Sequence, residues 1–249
     1  MQVESRCASM LATSGGFAAG TLIHTSTGLV PIEQIKPGDL VLSQAASKGA
    51  QGYKPVVKTF CFEEKAVVRL RYHVMRSEEW VRESLVVTGD HPFWVSGLHD
   101  GAYPEDLDLG DPPVKVGWTR ADLLDFGYEL ELASGELAWV TDVDRLWRTG
   151  QKDLAFIADY SNDGSGSIVR VGGADVVVEQ TMVMSEFGDD DTFIERRDEP
   201  ELADKWTFKR NVFDLELEDA HSYYVGKLGV WVHSASGFKT SDELSHKPG

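Results

Sequence analysis

The chain has 249 residues, 42% hydrophobic and 26% charged, enough for one large domain or two small ones. A core of ordinary size is within reach at this length, so no framework of disulfides or metals is required. With 24 Lys and Arg against 41 Asp and Glu the net charge is −17. That argues against a nucleic-acid or anionic-membrane binder, since either needs a basic face. Cys7 and Cys61 allow one disulfide or two free thiols and leave the compartment open. Met1 to Gly20 carries Glu4 and Arg6 and no apolar run of signal-peptide length, and no stretch approaches roughly 18 apolar residues. The chain reads as a soluble fragment of a longer protein.

In chain order, Phe17–Ser43 predicts a β-meander: a strand, a turn at Thr27–Gly28, a short helical turn over Pro31–Ile35, then Pro37–Gly38–Asp39 leading into Leu40–Ser43. Val56–Phe62 and Ala66–Val74 read as two strands. In the second, Arg69, Arg71 and His73 interleave with Val68, Leu70, Tyr72 and Val74, a period of two with one wet face. Ser84–Thr88 is a further strand. Thr119–Leu124 predicts a turn or two of helix with Thr119 as N-cap before Asp122. Leu137–Val143, Val176–Met184 and Val230–Val232 are strands, and Asn162–Ser167 is a flexible turn or linker. Many short strands with almost no helix predict an all-β fold.

The acids are clustered. Gly97–Glu131 holds nine against Lys115 and Arg120, and Ser185–Asp204 holds nine against Arg196 and Arg197. Each segment is therefore −7, and together they carry 14 of the 17 excess negative charges. They read as solvated surface insertions, with docking of a basic partner as the alternative.

Four segments carry chemistry-bearing residues. The opening segment holds A-G-T followed by I-x-x-I-K-x-G-D. Leu85–Val95 places Thr88 and His91 around a turn. In Val212–Tyr224, Asp214 precedes His221 by seven residues, and an extended strand would put Asp214, Glu216 and Glu218 on one face with Phe213, Leu215 and Leu217 on the other. Leu228–Ser234 ends a strand in His233 beside Ser234. Singly these are ordinary: a turn histidine, a wet-face acid, a histidine at a strand end.

In this order the four resemble the Hint (hedgehog/intein) family, in particular the Hint domains upstream of toxin modules in bacterial polymorphic toxins. The resemblance covers Gly16 to Ser234 and leaves 1–15 and 235–249 as flanks. It implies a horseshoe-like all-β fold that brings its first and last residues to one site, where the domain processes its own flanking segments by cleavage or splicing. In that family a Cys or Ser at the first position attacks the preceding carbonyl, at a high effective concentration set by the fold. The resemblance gives Thr88 and His91 the task of polarising that peptide and protonating its nitrogen. It places Asp214 near the nucleophile and has His221 and His233 assist a terminal Asn that cyclises to a succinimide. No cofactor and no metal is implied. A downstream toxin domain or an immunity protein is the implied partner, nucleic acid and membrane are not, and export as part of a bacterial toxin is the implied localisation.

The sequence departs from the pattern at both reacting positions. The nucleophile position is Gly16, which has no attacking atom, and the terminal Asn position is Ser234, which has no amide. Ala235 follows, and Ser14, Ser236 and Cys7 stand out of register. The chain is therefore expected to be processing-incompetent, either a trapped precursor or a naturally degenerate structural or interaction module. A hydrolase lacks a G-x-S-x-G elbow, the seven histidines show no zinc spacing, and Tyr160–Asp204 is too acidic and strand-like for a helical, basic endonuclease insertion.

Overall fold

The computed structural model describes residues 15–45, 49–99, 116–159, 165–184 and 206–234. The opening meander forms β1 (Phe17–Ala18), β2 (Leu22–Thr25), β3 (Gly28–Pro31) and β4 (Leu40–Gln44). Next come β5 (Gln51–Arg76), β6 (Glu79–Thr88), β7 (Pro92–Leu98), β8 (Gly117–Arg120), β9 (Tyr128–Glu131) and β10 (Leu137–Arg145). A smaller group follows: β11 (Trp147–Arg148), β12 (Leu154–Ala158), β13 (Ser165–Gly172) and β14 (Asp175–Met184). The chain then returns as β15 (Lys209–Leu217), β16 (Ser222–Val225) and β17 (Val230–His233).

Thirteen strands form one sheet, ordered β10-β9-β7-β17-β16-β2-β4-β5-β15-β1-β6, with β3 on β2 and β8 on β7. Pairings of β10 with β5 and of β5 with β6 close it on itself. The other four strands form a second sheet, β11-β12-β13-β14. Along β5, residues 51–55 pair with β4, 56–66 with β15, 67–76 with β6 and 68–73 with β10. The expected alternation is present: Leu70, Tyr72 and Val74 are buried in the main core with Val41, Phe93 and Val232.

The two strands expected at Val56–Phe62 and Ala66–Val74 are one strand of 26 residues. Glu63–Glu64–Lys65 looks like a break in sequence, but β15 pairs across it. The ladder shifts register between Arg210 and Val212, and Glu64 takes a positive φ of 51° while its N–H donates to Asn211 Oδ1. A bulge absorbs the charged residues without ending the strand.

Both helical segments shrink to single 3-10 turns, Ile32–Gln34 and Ala121–Leu123. Each is anchored by its buried first residue, Ile32 or Ala121, and ends where the next backbone becomes extended. Thr119 is not an N-cap. It pairs with Phe93 inside β8, and Arg120 precedes the turn without a side-chain cap.

Of the acidic segment Gly97–Glu131, residues 116–131 are built into the sheet as β8, the second turn and β9, with Leu130 wholly buried. Residues 100–115, the segment Ser185–Asp204 and the two flanks apart from Gly15 lie outside the described residues. Of Asn162–Ser167, read as a flexible turn or linker, Ser165–Ser167 begin β13 and residues 162–164 lie outside the described residues. Cys61 is disulfide-bonded.

The β5–β6 hairpin turns on Ser77–Glu78, with Arg76 paired to Glu79 and positive φ at both turn residues. This is the geometry that Asn-Gly fills without strain, whereas ordinary L-residues pay for it. Replacing the pair by Ser77→Asn with Glu78→Gly is expected to stabilise the fold by about 1 kcal/mol, raising Tm by about 2–4 °C in a thermal melt.

Candidate functional site

The two ends of the motif set meet on three residues of β15. Phe17 pairs with Phe213 and Ala18 with Val212, so the antiparallel register sets Gly16 opposite Asp214. The Gly16 N–H donates to Thr88 Oγ1 at 3.0 Å, and the Thr88 N–H donates back to the Gly16 carbonyl at 3.0 Å. At the other end, Ser234 leaves β17 and its hydroxyl donates to the Leu215 carbonyl at 2.7 Å. The Ser234 N–H donates to the His221 carbonyl at 2.7 Å. Gly16 and Ser234 thus straddle Asp214.

At position 16 the approach is closer than a side chain tolerates. A Cβ there would lie 2.7 Å from the Phe213 carbonyl oxygen, a backbone atom with little freedom to yield.

His91 closes the turn after β6. Its N–H donates to the Thr88 carbonyl, and its own carbonyl accepts from Ala121 at 2.9 Å. The ring is fully buried, edge-on to Phe17 at 4.3 Å and to Phe93 at 6.0 Å, and neither ring nitrogen has a hydrogen-bond partner. Burial, and then the neighbouring His233, push its pKa down to about 3, so the imidazole is neutral at physiological pH. His233 is held against the edge of Trp118 at 5.0 Å and stacks on His221 at 6.0 Å. Its Nδ1 is 2.6 Å from the Ser234 carbonyl oxygen. Burial, and secondarily His221, lowers its pKa, while the contact with Ser234 opposes the shift.

Asp214 is not on a wet face. It is 1% exposed, and its Oδ1 accepts from the Tyr223 hydroxyl at 2.6 Å and from the Leu215 N–H at 2.8 Å. Burial, and then the Asp214 charge, raise the Tyr223 pKa far above the usual tyrosine value. Glu216 keeps the expected half-exposed position, between buried Leu215 and Leu217.

The structure therefore gathers Gly16, Thr88, His91, Asp214, His233 and Ser234 around β15, with His221 exposed beside His233. Three neighbours were not singled out from sequence: Phe17, Tyr223 and Trp118. The first two lie inside the motifs already noted, but Trp118 lies in the acidic segment, where nothing marks it. Ser14, Ser236 and Cys7 are outside the described residues. Among the described residues, no three His, Cys, Asp or Glu side chains cluster as metal ligands.

The chain thus sets its first strand, β1, and the residue that follows its last strand, Ser234, on one internal strand, β15. Residues 22–145 match the family model of the pretoxin HINT domain, and the chain belongs to the Hint family, of the pretoxin kind. Among solved structures, a bacterial intein-like domain from Clostridium thermocellum is similar at 21% identity and a TM-score of 0.48, covering 88% of this chain and 97% of its own. A DnaB intein from Synechocystis sp. PCC 6803 is similar at 14% identity and a TM-score of 0.45, covering 89% and 99%. Among curated proteins none matches. No helix of the described residues is long and apolar enough to cross a membrane.

The buried imidazole has a stability signature. Unfolded, His91 titrates near 6.5; folded, near 3. Below pH 6.5 the unfolded chain binds a proton that the folded chain refuses, so stability falls as pH drops, by up to about 1.4 kcal/mol per pH unit. Urea unfolding between pH 7 and pH 5 is expected to show this slope, and His91→Phe is expected to flatten it.

Proposed function

We propose that residues 16–234 form one intein-like Hint autoprocessing unit whose accessory residues remain in place and whose two reacting groups are gone. The observation that carries this reading is the convergence of Gly16 and Ser234 on residues 213–215, with Thr88 and His233 bonded to the two ends. Thr88 Oγ1 accepts the N–H of the peptide between residues 15 and 16, which a nucleophile at position 16 would open, and so orients that bond. Neutral His91 takes up a proton from an attacking group and returns it to the peptide nitrogen. Asp214, fixed by Tyr223, supplies a carboxylate opposite the nucleophile position. His221 and His233 flank the bond after Ser234, where an Asn side chain would attack its own carbonyl. Gly16 offers no atom for the first step and Ser234 no amide for the second. The substrate is the chain's own flanks, 1–15 and 235–249, in a toxin context with a downstream toxin domain or immunity protein as partner.

The close approach at Gly16 supports natural divergence over a recent substitution, because Phe213 occupies space that the nucleophile's Cβ requires. On this ground a non-catalytic structural module is the second reading. Gly16→Ala is expected to cost about 1–3 kcal/mol in urea unfolding, the usual penalty for overpacking.

Processing is tested by intact mass. The unaltered chain is expected to keep its mass over days of incubation, and a cut after Gly15 or Ser234 overturns the proposal. Ser234→Asn alone is expected to release residues 235–249, because it restores the amide beside His221 and His233. If neither Ser234→Asn nor Ser234→Asn with Gly16→Cys is cleaved, Thr88, His91, Asp214, His221 and His233 are relics and the structural module is the correct reading.

A further inference from the structure

The wet face of β5 leads to a second site. Across the β5–β6 ladder, Arg71 stands opposite Ser84, His73 opposite Arg82 and Met75 opposite Trp80. Residues opposite one another in an antiparallel pair share a face, so the side chains of Arg69, Arg71, His73, Trp80, Arg82 and Ser84 emerge together. β10 sets Trp139 opposite His73, and its register shifts between Val140 and Asp142, which makes Thr141 the extra residue of a bulge beside Arg71. Bulges commonly re-aim a side chain at a functional position. The β13–β14 hairpin covers part of this face with Ala174–Val177, and Lys227 reaches it from the β16–β17 turn. Between them lies a cavity of about 700 Å³, the size of a small-molecule site.

The wall is rich in donors. Asp142 and Asp144 bind Arg71, Asp144 lies 3.9 Å from Arg69, and Glu83 lies 3.5 Å from Lys227. Asp175 adds a carboxylate at the rim. After these pairings the Arg69 Nε, the Arg71 Nε and the Thr141 hydroxyl are buried without a hydrogen-bond partner, as is the Asp144 Oδ2 acceptor 3.9 Å from Arg69. Such orphans are rare and costly in native proteins, and three donors set against one carboxylate oxygen leave a surplus that calls for an acceptor. Arg82 adds a cation at the mouth that forms no ion pair among the described residues. His73 registers the resulting field: burial first, then Arg82 and Arg71, hold its pKa down. Beyond His73 the face becomes aromatic. Trp80 is 45% exposed and packs edge-on to Trp139 at 4.8 Å, and His99 stacks on Trp139 at 3.9 Å.

We propose that this cavity binds a nucleoside phosphate. The phosphate lies among Arg71, Arg82, Ser84 and Thr141, and the base lies on Trp80. Converging donors from several side chains suit the many acceptor oxygens of a phosphate, and an exposed indole suits a flat base. A net charge of −17 repels a long polyanion but admits a small ligand to a locally donor-rich cavity. None of the groups around Gly16 and Ser234 is used, so the proposal stands apart from the autoprocessing reading.

Isothermal titration calorimetry of the full chain at low ionic strength, with ADP, inorganic pyrophosphate and citrate, is the test. One saturable site for ADP and pyrophosphate is expected, with ADP the tighter ligand. Arg82→Gln is expected to weaken both about tenfold, with an unchanged Tm because Arg82 is exposed. Trp80→Ala is expected to lower ADP affinity to that of pyrophosphate and leave pyrophosphate unaffected. Absence of saturable binding, unchanged binding in Arg82→Gln, unchanged ADP binding in Trp80→Ala, or citrate binding as tightly as pyrophosphate overturns the proposal.

Discussion

The continuous hydrogen bonding of β5 is the constraint on which this structure depends. One strand of 26 residues presents its edges in turn to β4, β15, β6 and β10. Because β15 and β6 both take their register from it, the space between them is defined. That space holds β1, two residues long, with Phe17 paired to Phe213 on one side and Val87 on the other. A strand so short has no stability of its own. Its position, and so the position of Gly16, is set by its neighbours. The positive φ at Glu64 lets β5 stay continuous through its charged middle; a break there would uncouple β15 from β6 and dissolve the frame.

The site built on this frame runs against the ordinary rules of burial. An imidazole without a hydrogen bond and a carboxylate paired with a tyrosine both sit in the protein interior. The imidazole opposes folding, since burial of polar groups is tolerated only when they are satisfied, whereas the carboxylate is held by the Tyr223 hydroxyl and the Leu215 N–H. Such conflicts between local chemistry and global packing collect at functional sites. Here the buried imidazole sits beside a position occupied by glycine, Gly16. The same tension appears in the wet face of β5, where buried guanidinium nitrogens lack acceptors.

The comparison of Asp214 with Glu216 shows how far strand periodicity reaches. Both were assigned to one face, and Glu216 is half exposed as expected. Asp214 is buried, because β1 is laid across it and Tyr223 caps it. Alternation predicts which way a side chain points but not what covers it. The same limit explains Thr119, a sound N-cap by local rules, which was drawn into β8 by pairing with Phe93. Trp118, beside it, gained contact with His233 for the same reason.

The amino-acid sequence alone determined the all-β class, the alternation of β5, the order of the four motifs and the presence of glycine at position 16 and serine at position 234. Each of these is local: a propensity, a period of two, a side chain present or missing. Only the tertiary structure decided that Gly16 and Ser234 meet on residues 213–215, that Phe213 blocks a Cβ at position 16, and that Arg71, Arg82 and Thr141 share a cavity. Those facts depend on contacts such as Gly16 with Thr88, 72 positions apart, and Ser43 with Ser222, 179 apart. Pairing partners at such distances are chosen by how the whole set of strands buries its apolar faces together, and no local pattern encodes that choice.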